Sequence, residues 1–210
     1  MTTIKLDSRI LEQDAGTIME QLNIQSQQAT VKTLQVLFLR SSAQLEPIHY
    51  NPPIFLPQSQ SIAPSFTNQV APRDITNYLE KLIRAAQQTA ESHCYGSFVA
   101  GQISESDEFG DVGIWLGEGN YQRNHEREIL DKLGLIAWAD AEIDQMEDLY
   151  DEKLKVDGSE TSAIGKLLDN LEDCHRFFVR RQDSYFACFL VGRLKAQGSW
   201  CGLASIGVAT

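Results

Sequence analysis

All six prolines of this 210-residue chain fall between Pro47 and Pro72, and that clustering limits the fold more than any other feature. Proline fixes φ and removes a backbone donor. A stretch holding Pro47, Pro52, Pro53, Pro57, Pro64 and Pro72, with Gln58-Ser59-Gln60-Ser61 in its midst, is therefore barred from regular helix and from the centre of a sheet. Residues 47–73 are expected to form a linker, or an extended arm on a neighbouring surface. The arm divides the chain into an N-terminal extension, 1–46, and a larger unit, 74–210.

In the extension, Ile10, Leu11, Ile18, Met19 and Leu22 recur at helical spacing after Asp7-Ser8, and Leu34, Val36 and Phe38 alternate as on a strand. One helix and one strand enclose no core, so this part is expected to pack on the rest of the chain or on a partner.

The larger unit opens at Asp74, a capping residue, with Leu79, Leu82, Ile83, Ala86 and Ala90 along one helix face ending near His93. Ser97 to Ile103 and Val112 to Leu116 read as the strands of a hairpin closed by an acidic turn. From Asn124 to about Lys155 the pattern is helical (Ile129, Leu130, Leu133, Ile136, then Ile143, Met146, Leu149, Tyr150, Leu154), and Gly134 with the crowded Leu135 to Trp138 suggests a bend or two helices. A further helix is expected to start at Ser159 to Thr161 and to run through Ile164, Leu167, Leu168 and Leu171 to about Cys174. Phe177 to Val179, Tyr185 to Gly192 and Trp200 to Val208 read as strands, the last two joined by Lys195-Ala196-Gln197-Gly198. The expected class is α+β, with antiparallel hairpins forming a sheet and helices packed on it.

A hydrophobic content of 42% supplies a core, and a net charge of −11 disfavours phosphate backbones. The one concentrated basic group, Arg176, Arg180 and Arg181, is expected at a helix end, so direct nucleic-acid binding is not expected. No segment has the roughly 20 apolar residues of a membrane helix, and Met1 to Asp7 lacks the apolar core of a secretory leader. The expected setting is cytoplasmic, with no membrane association. There Cys94, Cys174, Cys188 and Cys201, which form no CxxC pair, read as thiols.

The dipeptides His93-Cys94 and Cys174-His175 suggest a zinc site, but adjacent residues ligate one metal poorly, and the reading preferred is structural, at two helix ends. No cofactor is expected. Asp140, Glu142, Asp144, Glu147, Asp148, Asp151 and Glu152 form an acidic run. It lacks the Gly that an EF-hand loop requires and reads as a solvated helix face, or less readily as a surface for a basic protein. The turn Ser104-Glu105-Ser106-Asp107-Glu108 is either a solvated hairpin tip or a display of carboxylates for a hard cation. Nucleophile-elbow, Walker, dinucleotide and HExxH patterns are absent from the sequence, so the chain is not expected to be an enzyme. A Cys/His enzyme would need a concave pocket beside one of those residues.

Two segments carry a resemblance. Gln102-Ile103-Ser104-Glu105-Ser106-Asp107, followed by Val112-Gly113-Ile114-Trp115-Leu116-Gly117-Glu118-Gly119, resembles the first hairpin of the nuclease A inhibitor family. Phe189-Leu190-Val191-Gly192 through Gly202-Leu203-Ala204-Ser205-Ile206-Gly207-Val208-Ala209-Thr210 resembles its last hairpin. The similar order runs over residues 74–210. The chain departs from the family at Ala209, where the family has an acid, at Ile206, where it has Lys, in residues 120–158, and in the extension before Asp74.

The resemblance implies a protein that plugs the active site of a sugar-nonspecific, metal-dependent nuclease. Glu105 and the carboxylate of Thr210 would be directed at the nuclease's catalytic metal, and the chain would bind that metal only through its partner. Ser104, Ser106 and Asp107 would complete the partner-binding turn, and Trp115 and Trp200 would be supports or contacts, with a place in the buried core the preferred reading of each. The expected partner is a basic protein of this kind. The alternative is a non-catalytic interaction or assembly module that kept the fold and engages another protein complex through the extension and the arm.

Overall fold

The computed structural model describes residues 24–38, 54–55, 71–101, 104, 108–149, 163–181 and 184–209. Its centre is a six-stranded antiparallel sheet in the order β1-β2-β6-β5-β4-β3. The strands are β1 (Ile54–Phe55), β2 (Val112–Gly117), β3 (Glu142–Met146), β4 (Leu171–Arg180), β5 (Tyr185–Leu194) and β6 (Ser199–Val208). The last four form a meander running inward from one edge, and β2, with β1 outside it, adds to the free side of β6. The α+β class expected from the sequence is the one found.

Helices cover both faces. On one, α2 (Arg73–Ser92) and α4 (Ala163–Leu168) join a core holding Leu79, Leu82, Ile83, Phe178, Leu190 and Leu203. On the other, α1 (Ile24–Phe38), α3 (Glu126–Lys132) and the 3-10 turn Ile136–Trp138 enclose Leu37, Ile129, Trp138, Phe177, Phe189 and Ile206. Burial on both faces explains why Phe186 to Val191 is an unbroken apolar run rather than an alternating one.

The two long strands need two glycine solutions. Gly198 takes φ +64 in the β5–β6 turn, a conformation that costs other residues about 1–2 kcal/mol. At Gly207 a Cβ would lie 2.2 Å from the Phe186 ring, so that ring occupies the space a side chain would need.

Several expectations are corrected. Leu34, Val36 and Phe38 are helical, in α1. The controlling pattern is the burial of Ala29, Thr33, Leu34 and Leu37, a 3.6-residue spacing that the β-branched Val31, Thr33 and Val36 obscured. The helix docks on the sheet side of the molecule, with the Trp138 indole donating to Leu37 O at 3.0 Å and caring for one of the carbonyls a helix end leaves without a partner.

Asp74 does not cap α2. Pro72 holds the N-cap position without a side-chain bond, and Asp74 lies in the first turn. Ser97–Gly101 is a turn rather than a strand, so the first hairpin does not form there. Both edges of β2 are already used, by β1 at Ile114 and Gly113 and by β6 along Val112–Gly117.

The helix expected over 124–155 is short. It ends at Lys132, and Gly134 with φ +68 makes the expected bend. Glu142–Met146 is then an edge strand on β4. Its acids lie on a strand instead of a helix face. An edge strand that is only half covered carries polar residues on both sides, which erases the period-two signal and guards the edge against further pairing. The α4 helix stops at Leu168, and Leu171 to Cys174, expected to continue it, begin β4.

The segment 1–23 with its expected helix, most of the arm, and the run from Tyr150 to Ser162 lie outside the described residues. Among the described residues no helix is long and apolar enough to cross a membrane.

Cys188 and Cys201 are buried in the sheet, Cys174 is partly buried and Cys94 is exposed. Burial pushes Cys174 and Cys201 from 9.0 up to about 12, and Cys188 is pushed up by the same cause. Between pH 9 and 12 the folded chain thus retains protons that the unfolded chain releases. The stability linked to these thiols is complete below pH 9 and falls as pH rises towards 12. Urea titrations across that range are expected to show the decline. A thiol reagent at pH 8 is expected to modify Cys94 at once and the other three only as fast as the chain unfolds.

Candidate functional site

The site starts from a mismatch in strand length. β6 pairs with β2 only as far as Ala204, opposite Val112, whereas on its other side pairing with β5 continues to the Tyr185–Val208 rung. Ser205 to Val208 therefore present one open backbone edge. Of the segment leading into β2, Ser104 and Gly110 bond to it, at Val208 N and Ser205 Oγ.

Asp111 organises that segment. Its carboxylate is buried and accepts from Ser97 Oγ at 2.7 Å, from Phe98 N at 2.7 Å and from Val99 N at 3.1 Å, while Ser97 Oγ accepts from Ala100 N at 3.0 Å. Burial pushes the Asp111 carboxyl up, and its three donors together with the Arg176 guanidinium pull the other way. These bonds wind Ser97–Gly101 into a single turn, closed by Gly101 N to Ser97 O at 3.0 Å. Serine and the free amides of a helical turn are the donors a buried carboxylate satisfies.

From this turn the chain reaches Ser104, whose hydroxyl accepts from Val208 N at 3.2 Å. On the far side of the acidic turn, Phe109 meets the Tyr185 ring edge-on at 5.9 Å. Tyr185 and Val208 are cross-strand partners, so both feet of the acidic turn stand on one rung of the sheet, the final one of the β5–β6 ladder. Further bonds brace it. Ser205 Oγ donates to Gly110 O at 3.0 Å, Thr33 Oγ1 donates to the same carbonyl at 2.7 Å, and Gly110 N donates to Thr33 Oγ1 at 3.0 Å. Lys32 pairs with Glu108 at 3.1 Å, and Ala209 N donates to Ser184 O at 2.8 Å.

Of the residues singled out in the sequence, Ser104 is thus placed against β6. Glu105, Ser106, Asp107 and Thr210 lie outside the described residues. Trp115 and Trp200 are buried, and the Trp115 indole donates to Ser199 Oγ at 2.7 Å. Phe109, Asp111 and Tyr185 were not singled out. Asp111 carried one usable signal, an acid set between Gly110 and the apolar start of a strand, whereas the Phe109–Tyr185 contact joins residues 76 apart and left no local trace.

The basic cluster is dispersed along β4 and just beyond it instead of gathered at a helix end. Arg176 is buried, with its guanidinium 4.9 Å from the Phe178 ring centre. Arg180 pairs with Asp144, and Arg181 lies over Trp138 at 5.0 Å.

The His/Cys dipeptides are not brought together. His93 caps the C-terminal end of α2. Cys174 lies in β4 beside Gly192 of β5. His175 is within β4 and buried, not at a helix end. Its Nδ1 lies 3.1 Å from Asp173 O, and its Nε2 faces buried Glu126 at 3.9 Å. Burial lowers its pKa, which keeps a neutral ring between Phe177 and Trp200. Among the described residues no group of three His, Cys, Asp or Glu is placed to hold a metal ion. A hollow of about 430 Å³ beside Tyr78, Lys81 and Lys195 has no Cys or His in its wall.

Comparison of the chain with models of known protein families gives no match, and comparison with curated proteins gives none.

Removing the Asp111 carboxylate strands two amides and a hydroxyl in the interior. Asp111→Ala is expected to cost about 3–5 kcal/mol in urea unfolding. Asp111→Asn, which keeps one acceptor oxygen, is expected to cost clearly less.

Proposed function

We propose that the protein is an inhibitor that occludes the active site of a sugar-nonspecific, metal-dependent nuclease. One observation carries the reading. The two segments that resemble the nuclease A inhibitor family, far apart in sequence, are joined by Val208 N to Ser104 Oγ at 3.2 Å, and the other foot of the acidic turn packs on Tyr185 of the same rung. Ser104 immediately precedes Glu105, and Val208 stands two residues before Thr210. Cooperation of those two residues at one metal requires such a link.

The chemistry is that of a substrate mimic without a scissile bond. A nuclease site holds a hard cation in a basic cleft to receive phosphate, and a carboxylate meets the same cation through oxygen. Glu105 is the metal-directed side chain, and the Thr210 carboxylate is its companion. Ser104 holds the base of the turn, and Ser106 and Asp107 extend its polar contact. A net charge of −11 draws the protein towards a basic cleft and speeds association at low salt.

The test is DNA and RNA cleavage by several purified Mg²⁺-dependent, sugar-nonspecific endonucleases. The wild-type chain is expected to suppress at least one of them at near-equimolar concentration. Glu105→Ala is expected to weaken that inhibition by about 100-fold, the scale of a lost charged contact at the centre of an interface. Residues appended after Thr210 are expected to weaken it as well. Full cleavage by every nuclease at saturating protein refutes the reading. Unaltered inhibition by the extended chain removes the Thr210 carboxylate from the mechanism.

A further inference from the structure

The turn that closes the β5–β6 hairpin lies beyond the Leu194–Ser199 rung, at the opposite end of the ladder from Tyr185 and Val208. At about 3.4 Å per residue the ladder keeps its two ends roughly 30 Å apart. At this far end the turn, α2 and the end of α4 line the hollow of about 430 Å³, a size within the range of small-molecule sites. Tyr78, Leu167 and Leu194 form the apolar part of its wall.

Backbone acceptors at the end of α4 are used by the wall itself. Tyr78 OH donates to Leu167 O at 3.0 Å, Asn170 Nδ2 to Lys166 O at 2.8 Å, Lys195 Nζ to Asp169 O at 2.6 Å and Lys195 N to Asn170 O at 3.0 Å. Donors remain. The Lys195 ammonium carries three hydrogens and spends one on Asp169 O. Among the described residues, the Lys81 ammonium and the side-chain amides of Asn77 and Gln197 line the hollow without a hydrogen-bond or ion-pair partner. The acid in the wall, Asp74, pairs with neither lysine among the described residues. It stands two turns from Lys81 along α2, about 10 Å at 1.5 Å per residue.

We propose that this hollow binds a small organic anion, a carboxylate or phosphate monoester joined to an apolar ring. Two ammonium groups and two amides supply the donors that an oxyanion accepts, and Tyr78 with the two leucines supplies surface for the ring. Tyr78 and Lys195 are already held by Leu167 O and Asp169 O, so less order is lost on binding. The net charge of −11 repels a polyanion at long range. Within a Debye length of about 8 Å the local charges decide, and two lysines outnumber one aspartate. The inference is independent of the inhibitor reading, because no residue of the acidic turn takes part.

The experiment titrates the full-length, ¹⁵N-labelled chain at physiological salt with phenyl phosphate, benzoate, inorganic phosphate and benzylamine. Phenyl phosphate or benzoate is expected to move the amide signals of Lys81, Asn170 and Gln197 saturably, with Kd about 1 mM or tighter, and the tighter of the two assigns the oxyanion. Inorganic phosphate and benzylamine are expected to bind at least about fivefold more weakly. Lys81→Ala, at an exposed helix position where alanine is favoured, is expected to weaken binding about 10-fold. Arg84→Ala removes an exposed cation of the same helix outside the wall and is expected to stay within about twofold of wild type. Thermal unfolding checks each variant, and Lys81→Gln replaces an alanine variant that fails to fold. No saturation by either ring-bearing anion up to about 20 mM, or an equal loss in the Lys81 and Arg84 variants, overturns the site. Inorganic phosphate binding as tightly as phenyl phosphate overturns the ring-bearing class.

Discussion

The β5–β6 hairpin is the element on which the rest of the molecule is assembled. Its two ten-residue strands are paired along their whole length and buried on both faces. An antiparallel ladder covered on one face leaves the other for water, but here each face is a separate core. Side chains of α2 and α4 close one, and those of α1, α3 and the 3-10 turn close the other. Every described helix borders that hairpin or a strand joined to it. Its polar cost is small, because the backbone groups satisfy one another and Ser205 spends its hydroxyl on Gly110 O.

The acidic turn is held by a different kind of interaction. A carboxylate taken from water is costly unless its oxygens are fully used, and Asp111 uses both on three donors of one short turn. Ser97–Gly101 buries Phe98, Val99 and Ala100 in the core, and these bonds satisfy the polar groups that such burial takes from water. The turn then aims Ser104 at the open edge of β6. Hydrogen bonds from the buried Asp111 and from Val208 thus fix the chain on the N-terminal side of the acidic sequence as far as Ser104.

Much of the fold was legible in the residues. The α2 stripe of Leu79, Leu82, Ile83, Ala86 and Ala90 is the buried face of that helix, because a long amphipathic helix on a sheet keeps a clean 3.6-residue period. The Lys195–Gly198 turn and its two strands were equally plain. The failures share a cause. Val36 and Phe38 are only partly buried, β3 is half-exposed on both faces, and Ser97–Gly101 is set by a side chain ten or more residues away. Where burial is incomplete or the controlling bond is distant, local periodicity has little to report.

The candidate site divides in the same way. Its charged groups, the Ser-Glu-Ser-Asp turn and the residues around Thr210, could be identified from the sequence, because charge and residue order are local properties. The sequence also barred the arm from helix and from the centre of a sheet, through proline's missing donor and fixed φ, and the arm's described strand, β1, lies at the sheet edge. Tertiary structure alone decided that Ser104 would meet Val208 and that Phe109 would meet Tyr185. Both contacts depend on β6 extending past the end of β2, an offset set by how two cores close around the sheet and not by any property of the residues that touch.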